Sequence, residues 1–295
     1  MIPMKLLDWI DKNKLNWNGI SENPNSIELL KENQHKINWS MLSLNSNAIE
    51  LLEENRQNIS YFYLSANPNA IQLLKENIKK IHWTQLSSNP SGIQLLKENK
   101  NKIDWYNLSK NRNAIEIIQE NLNKITWPVL SLNPIAIRLL KEYPYKIDWY
   151  NLSANPCAIK LLKENQHKIV WFQLSLNPNA IGLLKTNQHK INWDRLSENP
   201  NAIELLKDNQ DKINWFFLSA NPNAIELLKD NQNKIEWYMF SINPSIFTYD
   251  YEKMRNLNQD LKEEIIAKAL HPKRIFRLIE EYGENEIYDI YFDDC

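Results

Sequence analysis

The sequence predicts an all-α fold, an α-solenoid of about ten 22-residue units, each a short α or 3₁₀ turn followed by an α-helix. Three observations point there. An aromatic residue recurs every 22 positions as Trp17, Trp39, Tyr61, Trp83, Trp105, Trp127, Trp149, Trp171, Trp193, Trp215 and Trp237. A fixed period of roughly 20–50 residues marks a stacked array. Ser at four positions after the aromatic and Asn at six positions after it occur in all eleven copies, from Ser21 to Ser241 and from Asn23 to Asn243. Pro follows that Asn in nine copies, Ser46 and Arg112 being the exceptions.

Residues 1–16 read as an N-terminal cap. Leu6 and Leu7 stand in for the Leu-Leu of a unit but lie one residue too far from Trp17, and terminal repeats are atypical because they cover an exposed core. Residues 17–247 hold the tandem units. In each, the residue before the aromatic is often a capping type (Asn38, Ser60, Asp104, Thr126, Asp148, Asn192, Asn214). Such a residue starts a short helix that runs from the aromatic to the Ser. Pro128, directly after Trp127, fits a first helical turn and not a central strand.

Asn-Pro then starts the longer helix. Asn caps the first amides and Pro needs no N–H at the first position. In the unit NAIELLKDNQDKINW, Ile203, Leu205 and Leu206 share one face, while Glu204 and Lys207 share the other. The expected helix is about ten residues long, too short to stand alone, and ends near Asn209, a residue that tolerates a left-handed cap. The alternative is a leucine-rich-repeat-like unit of strand plus helix, because L-S-x-N resembles part of that motif. Against it, the place that should be apolar holds Asn25, Asn47, Asn69, Ser91 and Asn113. Helix spacings of about 8–10 Å make the expected stack a stiff rod on the order of 100 Å long, with the Trp column buried between units and Tyr61 as a tolerated core substitute.

Residues 248–295 depart from the pattern. Residues 261–270 and 273–283 have helical periodicity, Gly283 being a candidate C-cap, and 284–295 carry five acids and no base. This last stretch reads as a frayed tail or a docking peptide.

The units NPNAIELLKENxxKIxW resemble the short tandem repeats of uncharacterised proteins of giant double-stranded DNA viruses. The segment YDYEKM…LKEEIIAKALHPKRIFRLIEEYG is similar to one that recurs in them. The resemblance implies a viral source and is silent on activity, since it brings no catalytic motif to carry over. In plan the unit also resembles the leucine-rich repeat variant, an array of alternating α and 3₁₀ helices, without that family's metal-cluster cysteines.

Composition narrows the function. The net charge is −1, and residues before 248 carry 28 bases against 24 acids, which disfavours nucleic acid as a partner. The two cysteines, Cys157 and Cys295, form no CxxC; a reducing, intracellular setting is expected, the host cytoplasm or a virion if the source is viral. The start lacks the apolar run of a signal peptide, and no segment approaches the roughly 18 apolar residues of a membrane span.

No catalytic set, cofactor motif or metal site is expected. The Ser column is too regular for a nucleophile and instead suits backbone satisfaction at the junction of the two helices. His35, His167 and His189 share a loop position, but His35 lies six units from His167, and adjacent units stand too far apart for joint ligation near 2 Å. Two lysine columns, one through Lys36, Lys80, Lys102, Lys124, Lys146, Lys168, Lys190, Lys212 and Lys234, the other through Lys31, Lys75, Lys97, Lys163, Lys185, Lys207 and Lys229, read as solvated faces or as a ladder for phosphates.

The candidate protein-binding residues are the aromatics at the two variable positions after Trp: Phe62, Tyr63, Tyr106, Tyr150, Phe172, Phe216, Phe217 and Tyr238. They form a contact stripe if exposed, and simple packing against the next unit is the other reading. The function expected is that of a non-enzymatic scaffold with an unidentified protein partner. A structural component of a virus particle and a nucleic-acid-binding solenoid are the alternatives.

Overall fold

Ten of the eleven 22-residue units fold as two short helices, so the strand-plus-helix alternative does not hold. The computed structural model describes residues 2–282. The first helix begins at the aromatic and lasts four to six residues, as in Trp17–Glu22, Tyr61–Leu64 and Trp215–Ala220. Asn or Asp before the aromatic caps it where present; the side chain of Asp148, for instance, accepts the Asn151 amide at 2.8 Å. Ser60 and Thr126 make no such bond, so two of the expected caps are absent.

The second helix is shorter than expected. It starts at the Ile, as in Ile203–Lys207 and Ile159–Glu164, with an Ala before it that offers no side-chain cap. The Asn-Pro step is a separate turn, 3₁₀ in some units such as Pro200–Ala202. A second 3₁₀ turn follows the helix, as in Gln210–Lys212. Asn209 between them has φ −138° and ψ 51°, so it is no left-handed cap. Its Nδ2 instead donates to the Leu205 carbonyl at 3.0 Å, tying off a helix end that would otherwise leave carbonyls unpaired.

Between the two helices lies the core. Leu at plus three from the aromatic packs with Leu-Leu of the second helix and with Ala and Ile; Leu42, Leu64, Leu74, Leu140, Leu206 and Leu228 are among those with no exposed surface. The Trp column is not part of this core. Every in-phase Trp, and Tyr61, is half-buried, which corrects the expectation of a buried tryptophan stack.

Neighbouring units are stitched by the two invariant polar columns. Nδ2 of each plus-six Asn donates to two carbonyls of the preceding unit, as Asn67 does to Ser43 at 3.0 Å and to Asn45 at 2.9 Å. Its Oδ1 accepts the amide two residues on, here Asn69 at 3.0 Å. The hydroxyl of each plus-four Ser donates to the carbonyl of its own aromatic and accepts an amide from the next unit; Ser43 does so with Trp39 at 2.8 Å and Ser60 at 3.0 Å. These Ser and Asn residues are buried, and every buried side-chain polar atom among the described residues has a partner. Such groups are tolerated inside only when fully bonded.

The ladder has no free end. Asn23, in the first unit, donates to Ser241 at 3.1 Å and to Asn243 at 2.9 Å in the last, and the Asn16 amide donates to Ser241 Oγ at 2.9 Å. Helix Trp17–Glu22 packs on Trp237–Ile242 as it does on Trp39–Leu44. The contact is close: a Cβ on Gly19 would sit 2.9 Å from that of Ser241. The eleven units therefore close into a ring, and the expectation of a rod is wrong. Its assumption was a straight stack, which requires equal spacing in both helical layers.

Residues 6–16 do not cap an end. They complete the eleventh unit, whose first half lies at residues 237–248. Leu6, Ile10 and Leu15 are buried, Lys12–Lys14 forms the usual 3₁₀ turn, and the Leu7 amide donates to the Ile246 carbonyl at 2.9 Å. In place of a second helix this unit has a two-stranded sheet of β1 (Met4–Leu6) and β2 (Phe247–Tyr249). Phe240 replaces the core Leu, with Trp9 packed on it at 5.7 Å between ring centroids. The ring is one compact unit, Leu6–Thr248.

The other unit comprises the chain before Leu6 and after Thr248. It holds helices Tyr251–Ala269 and Pro272–Tyr282, the first longer than the sequence suggested. The expected cap at Gly283 and the acidic stretch 284–295 lie outside the described residues. Among the described residues no helix is long and apolar enough to cross a membrane.

Candidate functional site: the inner face of the ring and its outer wedges

Ring closure makes the two layers unequal. The first helices pack directly on one another from unit to unit, and the second helices touch their counterparts far less. In a closed circle the more tightly spaced layer has the smaller radius, so the first helices form the inner wall. A layer lying about 10 Å further out has its eleven members about 6 Å further apart, from helix-packing distances and circumference alone. Wedges thus open between successive units on the outer side.

The aromatic column fills those wedges. The loop lysine that follows the second helix of the same unit lies over most of these rings: Lys36 over Trp17 at 4.6 Å, Lys168 over Trp149 at 4.6 Å, Lys212 over Trp193 at 4.5 Å and Lys234 over Trp215 at 4.5 Å. Lys80 lies over Tyr61 at 4.5 Å, so Tyr61 does the work of a Trp. At the seam Lys14 covers Trp237 at 5.3 Å. The loop lysines are thus not simply a solvated face. Their ammonium groups sit over the ring faces, attracted by the negative face of the ring, on exposed side chains. Tyr143 takes this place on Trp127, at 5.3 Å.

On the inner wall, residues one and five after the aromatic lie about 160° around the helix from the buried Leu, on the side away from the outer layer. The sequence-predicted aromatics fall here. Phe62, Tyr106, Tyr150, Phe172, Phe216 and Tyr238 are 40–51% exposed. Tyr63 and Phe217, one position on, are half-buried. Phe62 meets Tyr63 edge-on at 5.1 Å and Phe216 meets Phe217 at 5.4 Å. Some of these exposed rings also pack on the next helix: Phe62 on His82 at 4.6 Å, and Phe172 beneath Arg195 at 4.8 Å. No ring pair among the described residues joins two of the six exposed aromatics, so they are spaced around the circle and do not form one cluster.

This wall carries little charge. The residues one, two and five after each aromatic make 33 positions, of which Asp194, Glu22, Glu198, Lys110 and Arg195 are charged, a net −1. Arg195 pairs with Glu198 at 3.5 Å, and Lys110 lies over Tyr106 at 4.4 Å. Burial pushes the Glu22 carboxyl above its ordinary pKa, because desolvation disfavours the charged form. The folded state therefore favours a protonated Glu22, and its charge weakens the fold as pH rises through that raised value. Glu22→Gln is expected to raise the melting temperature at pH 7.5, with the gain shrinking as pH falls through the carboxylate range. A gain that stays constant down to pH 4 would show that the charge is not the cause.

His35, His167 and His189 sit in exposed 3₁₀ turns, and no group of His, Cys, Asp and Glu suited to a metal occurs among the described residues. Sequence reasoning missed Lys14, Asn16 and Gly19 as interface residues. A signal for the first two was present: Lys14-Leu15-Asn16 stands in phase with the Lys-Ile-x of every unit.

Fold and inner face together define a class, a closed ring of two-helix repeats with an aromatic, nearly neutral inner wall. Comparison with families of known proteins, with curated proteins and with solved structures yields no match to this chain.

Proposed function

We propose that the protein is a non-enzymatic scaffold that holds a polypeptide partner against the inner face of the ring. The observation that carries this reading is the row of exposed aromatics, Phe62, Tyr106, Tyr150, Phe172, Phe216 and Tyr238, on a wall with five charges among 33 positions. Aromatic rings supply large contact area at small entropic loss and are enriched where proteins meet. A wall of net −1 offers nothing to a polyanion, whose binding rests on neutralised phosphates. With inner helices about 8 Å apart, eleven of them leave an opening on the order of 15–20 Å, room for a single helix of about 10–12 Å.

A photo-crosslinking amino acid in place of Phe216 is expected to capture a polypeptide in extracts of the native source, and one in place of the outer residue Glu204 is not. Phe216→Ser combined with Phe217→Ser is expected to abolish the capture of that polypeptide while the thermal melt stays within about 2 °C. Equal yields at 216 and 204, or capture unaffected by the double substitution, would overturn the assignment.

A further inference from the structure

One outer wedge holds a cavity with an aromatic and aliphatic lining. Between the fourth and fifth units lies a cavity of about 380 Å³ lined by Ile103, Trp105, Ile117, Lys97, Lys100, Lys124, Glu120 and Asn121. Its local cause is visible in the chain. Every other unit with a second helix follows it with a 3₁₀ turn, whereas the fifth passes from Ile115–Gln119 to Trp127 through irregular turns at 120–124. Lys124 consequently stands off its ring, at 5.0 Å from Trp105, against 4.5–4.6 Å for most of the column.

The lining divides by chemistry. Ile103 and Ile117 are buried and, with half-exposed Trp105, make an apolar floor beside a flat ring. Three ammonium groups stand at the walls against the one carboxylate of Glu120. Lys97 is held across the units by Glu116 at 2.9 Å, and this pairing keeps the lysine above and the carboxyl below their ordinary pKa values. Lys100 and Lys124 have no carboxylate partner among the described residues.

We propose that this wedge binds a nucleoside triphosphate. The base lies along Trp105 over the isoleucines, and Lys124 swings from the indole to the phosphates alongside Lys100. A planar base and an aromatic side chain attract by stacking, and ammonium groups bind phosphate oxygens by charge-assisted hydrogen bonds. The inference is independent of the inner face, since Lys100 and Trp105 belong to the outer side of the ring.

Calorimetric titration of the full chain with ATP, with inorganic triphosphate and with adenosine tests it. One ATP per chain is expected to bind at sub-millimolar concentration, at least tenfold more tightly than either fragment. Lys100→Glu, an exposed position whose change leaves the core alone, is expected to weaken ATP binding at least tenfold. Trp105→Leu should weaken ATP and leave triphosphate unchanged. Lys168→Glu, at the place over Trp149 that Lys124 holds over Trp105, should have no effect. Absence of binding at millimolar ATP would overturn the proposal. So would a stoichiometry of several nucleotides per chain, equal loss in Lys168→Glu, or triphosphate binding as tightly as ATP.

Discussion

Removing residues 2–16 should open the ring and lower the melting temperature by more than 10 °C. The segment supplies the buried aliphatic side chains Leu6, Ile10 and Leu15, each worth about 1.5–3 kcal/mol on burial. It also supplies the Asn16 amide on Ser241 and the Lys14 cover over Trp237. The total is on the order of 5–9 kcal/mol, comparable with the whole stability of many domains of about 5–15 kcal/mol. A point substitution reaches the same seam with the chain length intact. Gly19→Val would force a side chain against Ser241 Cβ, 2.9 Å from the first added carbon, and against the Tyr238 carbonyl at 3.1 Å. Overpacking of this kind typically costs about 1–3 kcal/mol. Small-angle scattering should show a larger radius of gyration for the truncated chain, and circular dichroism should show earlier melting for both variants. A truncated chain that keeps its radius and melts within about 2 °C of the parent would mean that the seam contributes nothing.

Asn133→Ala should be the most damaging single substitution on the polar side of the fold. Asn133 Nδ2 donates to the buried Ser109 carbonyl at 3.0 Å and to Asn111 at 3.1 Å, and its Oδ1 accepts from Ile135 at 3.3 Å. Truncation leaves two buried carbonyls without partners and frees a part-buried amide. Each such orphan costs about 1–3 kcal/mol, so the expected loss is about 3–5 kcal/mol. Asn133→Asp should be at least as severe, because it turns an acceptor toward two carbonyls. Asn179 is the control. It bridges units through the Pro156 carbonyl at 2.9 Å in an exposed position, where water replaces a lost bond, and Asn179→Ala should cost under about 1 kcal/mol. Urea unfolding of the three variants measures this. Equal losses at 133 and 179 would show that the buried ladder is not what holds the units together.

The Asn column also shows where sequence reasoning stops. Its invariance at plus six was plain, and its capping role was inferred from the following Pro. What could not be inferred was the donor side. A side-chain amide can satisfy its own turn with the oxygen and still reach the preceding unit with the nitrogen, and only packed units bring those carbonyls within 3 Å. The Asn at plus eight is similar. It argued against a leucine-rich repeat, and in the fold Asn25, Asn47 and Asn201 reach the carbonyls of Pro244, Pro24 and Pro178. Tryptophan was misplaced for a related reason. Period and size alone suggest a core residue, whereas its position between the fanned outer segments follows from a curvature that no single unit contains. The irregularity of the aromatics at plus one in a regular array separates them from the packing columns, and they are exposed in the fold; that they lie on an inner wall was not visible.

By itself, the sequence determined the 22-residue period, the two helices per unit, the apolar columns of the core and the buried Ser and Asn positions. These depend on contacts within a unit or between identical neighbours, which the repeat states eleven times. Tertiary structure alone decided that the array closes. A full turn shared by eleven units is about 33° each, set by the difference in spacing between the inner and outer layers. That difference depends on how the wedge-filling Trp and the Lys above it pack against short inner contacts such as Gly19 on Ser241. It is a small angle per unit, invisible in any one of them, and its sum joins residues 6–16 to residues 237–248.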